Sequence, residues 1–173
     1  MVAVARVRRL SAEDWAVLRH VRLRALEEAP YAFGSTLEEE SSRPEEWWKA
    51  GVGRLPWHGT RRIVWFVAEG EGHAVGLAAG VEGADGGHPE VMSMWVEPGR
   101  RGTGVAGDLL AAVISWAESQ GASALRLGVA DDNVAARRFY ERHGFVSTGK
   151  REPLRSRPQV STQEMILALA DDR

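Results

Sequence analysis

"VEPGRRGTGVAGDLL", Val96 to Leu110, holds the end of a strand, a turn and the start of a helix. An apolar run stops at Val96-Glu97-Pro98, where proline removes a backbone donor and breaks a strand. Gly99, Arg100, Arg101, Gly102, Thr103 and Gly104 follow, and a helical period begins at about Val105. Such a turn aims several backbone N–H groups at one point, where the helix N-terminus adds roughly half a positive charge. Glycines let a ligand come close to the backbone, and Arg101 and Arg100 would add charge, so a phosphate is the expected occupant. The alternative is an ordinary strand-to-helix turn with solvated arginines. Gly102 to Gly107 also spells G-x-G-x-x-G, which in dinucleotide-binding folds closes the first strand near the start of the domain. Here about half of the chain, mostly patterned as antiparallel strands, comes first, although Asp131 ends the next strand and could imitate a ribose-binding acid. No G-K-[ST] follows, which argues against a nucleoside triphosphate.

Upstream of this stretch, Val2 to Leu10 alternates as a strand, and Ser11 reads as the N-cap of a helix through Trp15, Leu18, Leu23 and Leu26 that stops before Pro30. "YAFGST" reads as a loop, and "EEESSRPEEWWKAG" as a shorter helix with Pro44 in its first turn. "RRIVWFVAE" and "HAVGLAAGVEG" form a hairpin about the turn "GEG", and "PEVMSMWVEP" adds a third strand. Downstream, Ala106, Leu109, Leu110, Val113, Ile114 and Trp116 make an apolar helical stripe ending near Gly121. "SALRLGVA" is a strand, "NVAARRFYERHG" a helix capped by Asn133 and closed by Gly144, and "FVSTGKRE" with "STQEMILAL" a last strand pair. The expected order is β-α-α-β-β-β-α-β-α-β-β in a single α/β domain over residues 1–173.

The chain has 173 residues, 22 basic and 24 acidic, so neither a nucleic acid nor an anionic membrane is the expected partner. With no cysteine, thiol nucleophiles and Cys-ligated zinc are excluded. His20, His58, His73, His88 and His143 lack metal-ligand spacing, so no metal is expected. "FGSTL" lacks the second glycine of a nucleophile elbow. The N-terminal "MVAVARVRRLSAEDW" has no long apolar stretch and no run reaches about 18 apolar residues, so the expected location is the cytoplasm.

"VEPGRRGTGVAGDLL" resembles the cofactor-binding motif R/Q-x-x-G-x-G/A of the GNAT family of N-acetyltransferases, with Arg101, Gly104 and Ala106 at its fixed positions. About thirty residues on, "NVAARRFYERHGF" resembles the family's N-x-x-A-x-x-(F/L)-Y-x-x-x-G-F segment. The resemblance covers at least Val91 to Phe145, and the element order matches throughout. It implies a mixed, mostly antiparallel sheet with a splayed parallel strand pair and helices on both faces. It implies acetyl-CoA as co-substrate, and transfer of its acetyl group to a primary amine of a small molecule or peptide by direct attack in a ternary complex.

On that resemblance, the backbone of Met94, Trp95 and Val96 would pair with the pantetheine arm in the gap between the splayed strands. Arg101, Gly102, Thr103, Gly104, Val105 and Ala106 would hold the pyrophosphate, and Asn133 would bond the arm from the other side while also capping its helix. Tyr140 would touch the cofactor and protonate the departing thiolate; its alternative is a packed aromatic beside Phe139, and His143 is a lesser candidate. Glu90 is the expected base, six residues before Val96, an even spacing that puts both side chains on one strand face, unless it is only a solvated strand start. The run Glu38, Glu39, Glu40 would draw a cationic acceptor or simply be solvated surface, and Trp47, Trp48 and Trp57 fall where the family builds its acceptor wall. The partners are then acetyl-CoA and an amine acceptor, with a homodimer compatible. The competing readings are a non-catalytic CoA-binding domain of the same fold and a dinucleotide-dependent oxidoreductase.

Overall fold

In the computed structural model, which describes residues 4–54 and 61–170, β1 (Arg6–Arg9) leads through one 3-10 turn into α1 (Trp15–Glu28). The reading of "EEESSRPEEWWKAG" as one helix is corrected to two, α2 (Leu37–Ser41) and α3 (Glu45–Gly51). Pro44 is the reason: it sits at φ −70, ψ 162 as the N-cap of α3, outside the helix rather than in its first turn. Thr36 caps α2 with its hydroxyl on the Glu39 N–H, while the Glu39 carboxylate accepts from the Thr36 N–H. β2 (Ile63–Gly70) and β3 (His73–Val81) form the expected hairpin, and β4 (Glu90–Val96) follows. Then come α4 (Val105–Ser119), β5 (Ala124–Ala130), α5 (Val134–Arg142), β6 (Val146–Leu154) and β7 (Arg157–Ala168).

The strands make one seven-stranded sheet in the order β1-β2-β3-β4-β5-β7-β6. Each neighbouring pair is antiparallel except β4 and β5, joined by α4 as a crossover. Its first face buries Trp65, Val67, Leu77 and Trp95 under Leu18, Val21 and Leu26 of α1 and Trp48 of α3. Its second face buries Ala78, Val91, Leu125 and Val129 under Leu109, Leu110 and Val113 of α4 and Tyr140 of α5. The stripe read from the sequence thus faces the sheet. Gly80 allows the close contact: a Cβ there would stand 2.4 Å from the Trp116 ring.

At the start of α1 the chain is pinned by a bidentate pair. Arg8 donates from Nη1 and Nη2 to the two Asp14 oxygens at 2.9 and 3.0 Å, and the Ser11 N–H donates to Asp14 at 2.7 Å. The Arg8 hydrogen bonds, with the Ser11 N–H next, hold the Asp14 carboxyl down at about 2, below its unfolded value of 3.8. Its stabilising contribution is therefore present above pH 4 and lost as pH falls through about 2. Asp14→Asn is expected to cost about 1 kcal/mol at pH 7 in thermal denaturation. The difference from the parent should shrink below pH 3; a difference that persists at pH 2 would rule out the ionised pair as its source.

Candidate active site

β4 and β5 share one register pair, Glu90 with Arg126, supported by the Arg126 N–H donating to the Pro89 carbonyl at 3.0 Å. The ladder stops there, and the strands part toward Val96 and Ala130. Because the Pro89 carbonyl faces β5, alternation turns the peptide groups of Met92 toward β3, its register partner there being Ala79. At the other end the Glu97 N–H donates to the Val75 carbonyl at 2.9 Å, which turns Trp95 toward β3 as well, opposite Leu77. Two residues therefore stand off the β3 ladder where one would suffice. Ser93 and Met94 form this bulge, and Ser93 sits at φ +57, the left-handed region that a serine enters at a cost.

Two corrections follow from the bulge. Glu90 and Val96 do not share a face: Val96 and Met94 pack into the core under α4, whereas Met92 and Trp95 pack with α1, and Glu90 alternates with Met92. Of the three residues expected to present backbone to the gap, Trp95 spends its peptide groups on β3, which leaves Met94 and Val96 as the candidates. The Trp95 indole instead donates to Glu28 at 2.9 Å.

The turn after β4 is built as its glycines require. Gly102 (φ +73) and Gly104 (φ +92) both lie in the left-handed region, with open space where a Cβ would point. Thr103 Oγ1 donates to the Arg100 carbonyl at 2.6 Å and fixes the turn. Gly104 is the N-cap of α4 and supplies no side chain, and the first intrahelical bond is from Asp108, so the N–H groups of Val105, Ala106 and Gly107 open the helix without a side-chain cap. A Cβ on Gly107 would meet only His143 Nε2, at 3.6 Å, an ordinary contact. The third glycine of the dinucleotide fingerprint thus has no close packing to serve here.

The arginines behave differently from expectation. Arg100 is 6% exposed and pairs with Glu71 on the β2–β3 turn, so its charge is spent away from the helix start. Arg101 donates from Nε to the Val96 carbonyl at 3.0 Å and from Nη2 to Glu28 at 2.6 Å. Its guanidinium braces the end of β4 against α1.

Tyr140 lies under the second face, edge-on to Phe139 and Phe145 with ring centroids 5.3 and 5.6 Å away. Burial pushes its hydroxyl above the ordinary value of 10, so it stays protonated at neutral pH. Asn133 Oδ1 accepts the Ala136 N–H at 3.3 Å, which establishes its capping role. His143 is exposed and holds Phe139's carbonyl through Nδ1 at 2.8 Å.

Glu90 borders a polar pocket of about 290 Å³ with Arg61, Arg126, Lys150, Glu152 and Glu164. Its Oε2 receives Arg61 at 3.4 Å and Arg126 at 3.6 Å. A wider hollow of about 1290 Å³, with Arg9, His88 and Gln120 on its rim, lies by the start of β5, at the far end from the opening between the strands, and is therefore not the site described.

The acidic run is corrected too. Glu40 is 2% exposed and bonded to Arg22; Glu39 caps α2 and pairs with Arg155 at 3.0 Å; Glu38 is exposed. Trp48 is core, Trp47 packs edge-on to it at 4.9 Å, and Trp57 lies outside the described residues. Sequence reasoning missed Arg22, although a signal existed: it falls four residues after Leu18 on the buried stripe of α1, where a charge demands a buried partner. Among the described residues no group of three or more His, Asp or Glu side chains could hold a metal ion, and no helix is long and apolar enough to cross a membrane.

A mixed sheet with one parting parallel pair, and an uncapped helix start beside the opening, defines an α/β fold of the acyl-CoA-binding kind. The acetyltransferase (GNAT) family profile matches residues 19–145, and the chain belongs to that family. A mycothiol acetyltransferase of Thermobispora bispora is 34% identical over 138 residues, covering 77% of this chain and 42% of that protein. An uncharacterized N-acetyltransferase of Mycobacterium bovis is 37% identical over 91 residues, 53% of this chain and 57% of that one. The chain thus spans about half the length of these relatives. Among solved structures, a Salmonella typhimurium protein with its cofactor acetyl-CoA aligns at TM-score 0.70 and 21% identity, over 98% of this chain and 96% of that one. The PaiA N-acetyltransferase of Thermoplasma acidophilum, in complex with coenzyme A, aligns at 0.67 and 16%, over 95% and 99%.

Proposed function

We propose that the protein is an acetyl-CoA-dependent N-acetyltransferase acting on a primary amine of a small molecule or peptide. The observation that carries this reading is the uncapped start of α4 beside the opening between β4 and β5. Three N–H groups and two glycines with bare backbone fit a pyrophosphate, and the exposed edge of β4 fits an extended amide-bearing arm. Met94 and Val96 bond that arm as a neighbouring strand would. The Val96 carbonyl keeps a second lone pair while it accepts from Arg101.

Acetyl-CoA, when bound, supplies an acetyl group activated as a thioester. The N–H groups of the bulge, at Ser93 and Met94, stabilise the negative charge that builds on the acetyl oxygen during attack. Glu90 approaches from the first face of the sheet and takes the proton from the incoming ammonium, directly or through water. Tyr140 approaches from the second and gives a proton to the departing sulfur. Base and acid thus work from opposite faces, an arrangement that keeps them from neutralising one another.

Thermal denaturation with CoA, acetyl-CoA, NAD and NADP tests the cofactor class. The first two should stabilise, by about 2.7 kcal/mol at 100 times Kd, and the others should not. Gly104→Val should raise the acetyl-CoA Kd at least about tenfold, because a branched side chain both strains φ +92 and covers the backbone. Stabilisation by NAD without CoA would overturn the reading, and unchanged affinity in a folded Gly104→Val protein would remove the turn from the cofactor site.

A further inference from the structure

Arg22 is 4% exposed, yet it bonds three parts of the chain at once. Its Nε and Nη2 hold the Glu40 carboxylate, at 3.0 and 2.8 Å, which anchors α2. Nη2 also donates to Ser35 Oγ at 2.9 Å in the loop before α2, and Ser35 bonds Glu40 in turn. Nη1 donates to Ser93 Oγ at 2.8 Å, on the bulge of β4. The Phe33 ring stacks on the guanidinium with its centroid 4.7 Å from Cζ.

A serine at φ +57 relaxes to extended backbone unless something holds it, and relaxation would return Ser93 or Met94 to the β3 ladder. Arg22 is the group in place to hold it. Its planar fork is fixed by Glu40 on one side, so the remaining nitrogen presents to Ser93 at a set position. We infer that Arg22 is a positioning residue for acetyl transfer: it locks the Ser93–Met94 bulge in the conformation that aims two N–H groups into the gap, and through Glu40 and Ser35 it makes that lock depend on α2 being docked. The catalytic part of this inference rests on the acetyltransferase reading; the mechanical part does not. Arg22 touches no reacting atom and works only through the backbone of β4.

Two readouts keep these parts separate. Amide hydrogen exchange in Arg22→Lys should change about tenfold or more at Ser93 or Met94, slowing at the amide that returns to the β3 ladder, while the β2 and α4 amides keep their protection. In turnover, Ser93→Ala keeps the cost of φ +57 but loses the bond that offsets it, so the bulge relaxes and kcat should fall about tenfold. Ser93→Gly loses the same bond but adopts φ +57 without strain, so its kcat should lie at least about threefold above that of Ser93→Ala. A merely structural contact predicts the reverse order, since glycine removes more packing than alanine. Equal losses in Ser93→Ala and Ser93→Gly, or unchanged Ser93 and Met94 exchange in folded Arg22→Lys, would overturn the inference. Failure of the unsubstituted protein to bind acetyl-CoA would overturn the functional reading and leave the exchange result to judge the lock.

Discussion

Tyr140→Phe is expected to lower kcat by about two to three orders of magnitude while the acetyl-CoA Kd stays within about twofold. The phenylalanine ring keeps the contacts with Phe139 and Phe145 and fills the same space under the sheet, so the fold should be retained. On the proposed function what is lost is the proton donor, and a donor to a departing thiolate matters in the transition state rather than in binding. The pH dependence has a definite sign. An acid is competent below its pKa, and burial raises that of Tyr140 above 10, so no alkaline fall in kcat should trace to this group up to pH 10. Equal rates in the parent and the variant across that range would return Tyr140 to the role of a packed aromatic.

The contrast between Tyr140 and Glu90 shows what the sequence could convey. Tyr140 stands in a helix bounded by an N-cap at Asn133 and a glycine at 144, φ +89, both visible as letters, and its place is read from the family resemblance of that segment. The turn at 99–104 was equally legible, because glycine and proline encode backbone shape directly. A bulge has no such code. Val91 to Val96 is apolar at every position but Ser93, so nothing in the pattern marks where alternation fails, and parity counted across that point puts Glu90 on the wrong face relative to Val96. Charge runs mislead for a related reason: Glu38, Glu39 and Glu40 look alike in sequence, yet only the position facing α1 meets a buried arginine. Arg100 and Arg101 repeat the point, since adjacent arginines in one turn find Glu71 and Glu28 on different elements. Long-range partners decide the fate of charged side chains, and local spacing does not report them.

Glu90→Gln is expected to reduce the rate about 10²-fold near pH 6.5 and only a few-fold near pH 10. A primary amine with an ordinary pKa near 10.4 is almost wholly ammonium at the lower pH, so each turnover needs a proton acceptor; at the higher pH much of it is already free. The surroundings of Glu90 suit that task. The Arg61 and Arg126 guanidiniums reach its Oε2 at 3.4 and 3.6 Å and hold the carboxylate at the edge of the pocket. Glutamine keeps the shape and one carbonyl oxygen for the arginines but cannot take a proton, so the pocket should stay folded and the acetyl-CoA Kd should not change. The effect should therefore appear in the pH profile rather than in cofactor affinity. The position across the sheet from Tyr140 strengthens the case, because a base on the acceptor side and an acid on the thiolate side move one proton in and one out without crossing paths. A ratio between parent and variant that stays flat from pH 6.5 to pH 10 would assign deprotonation to another group or to loss of water at the site. Glu90 would then serve only to tie β4 to Arg126 where the two parallel strands still meet, and the acetyl-group chemistry at the bulge and at Tyr140 would stand without it.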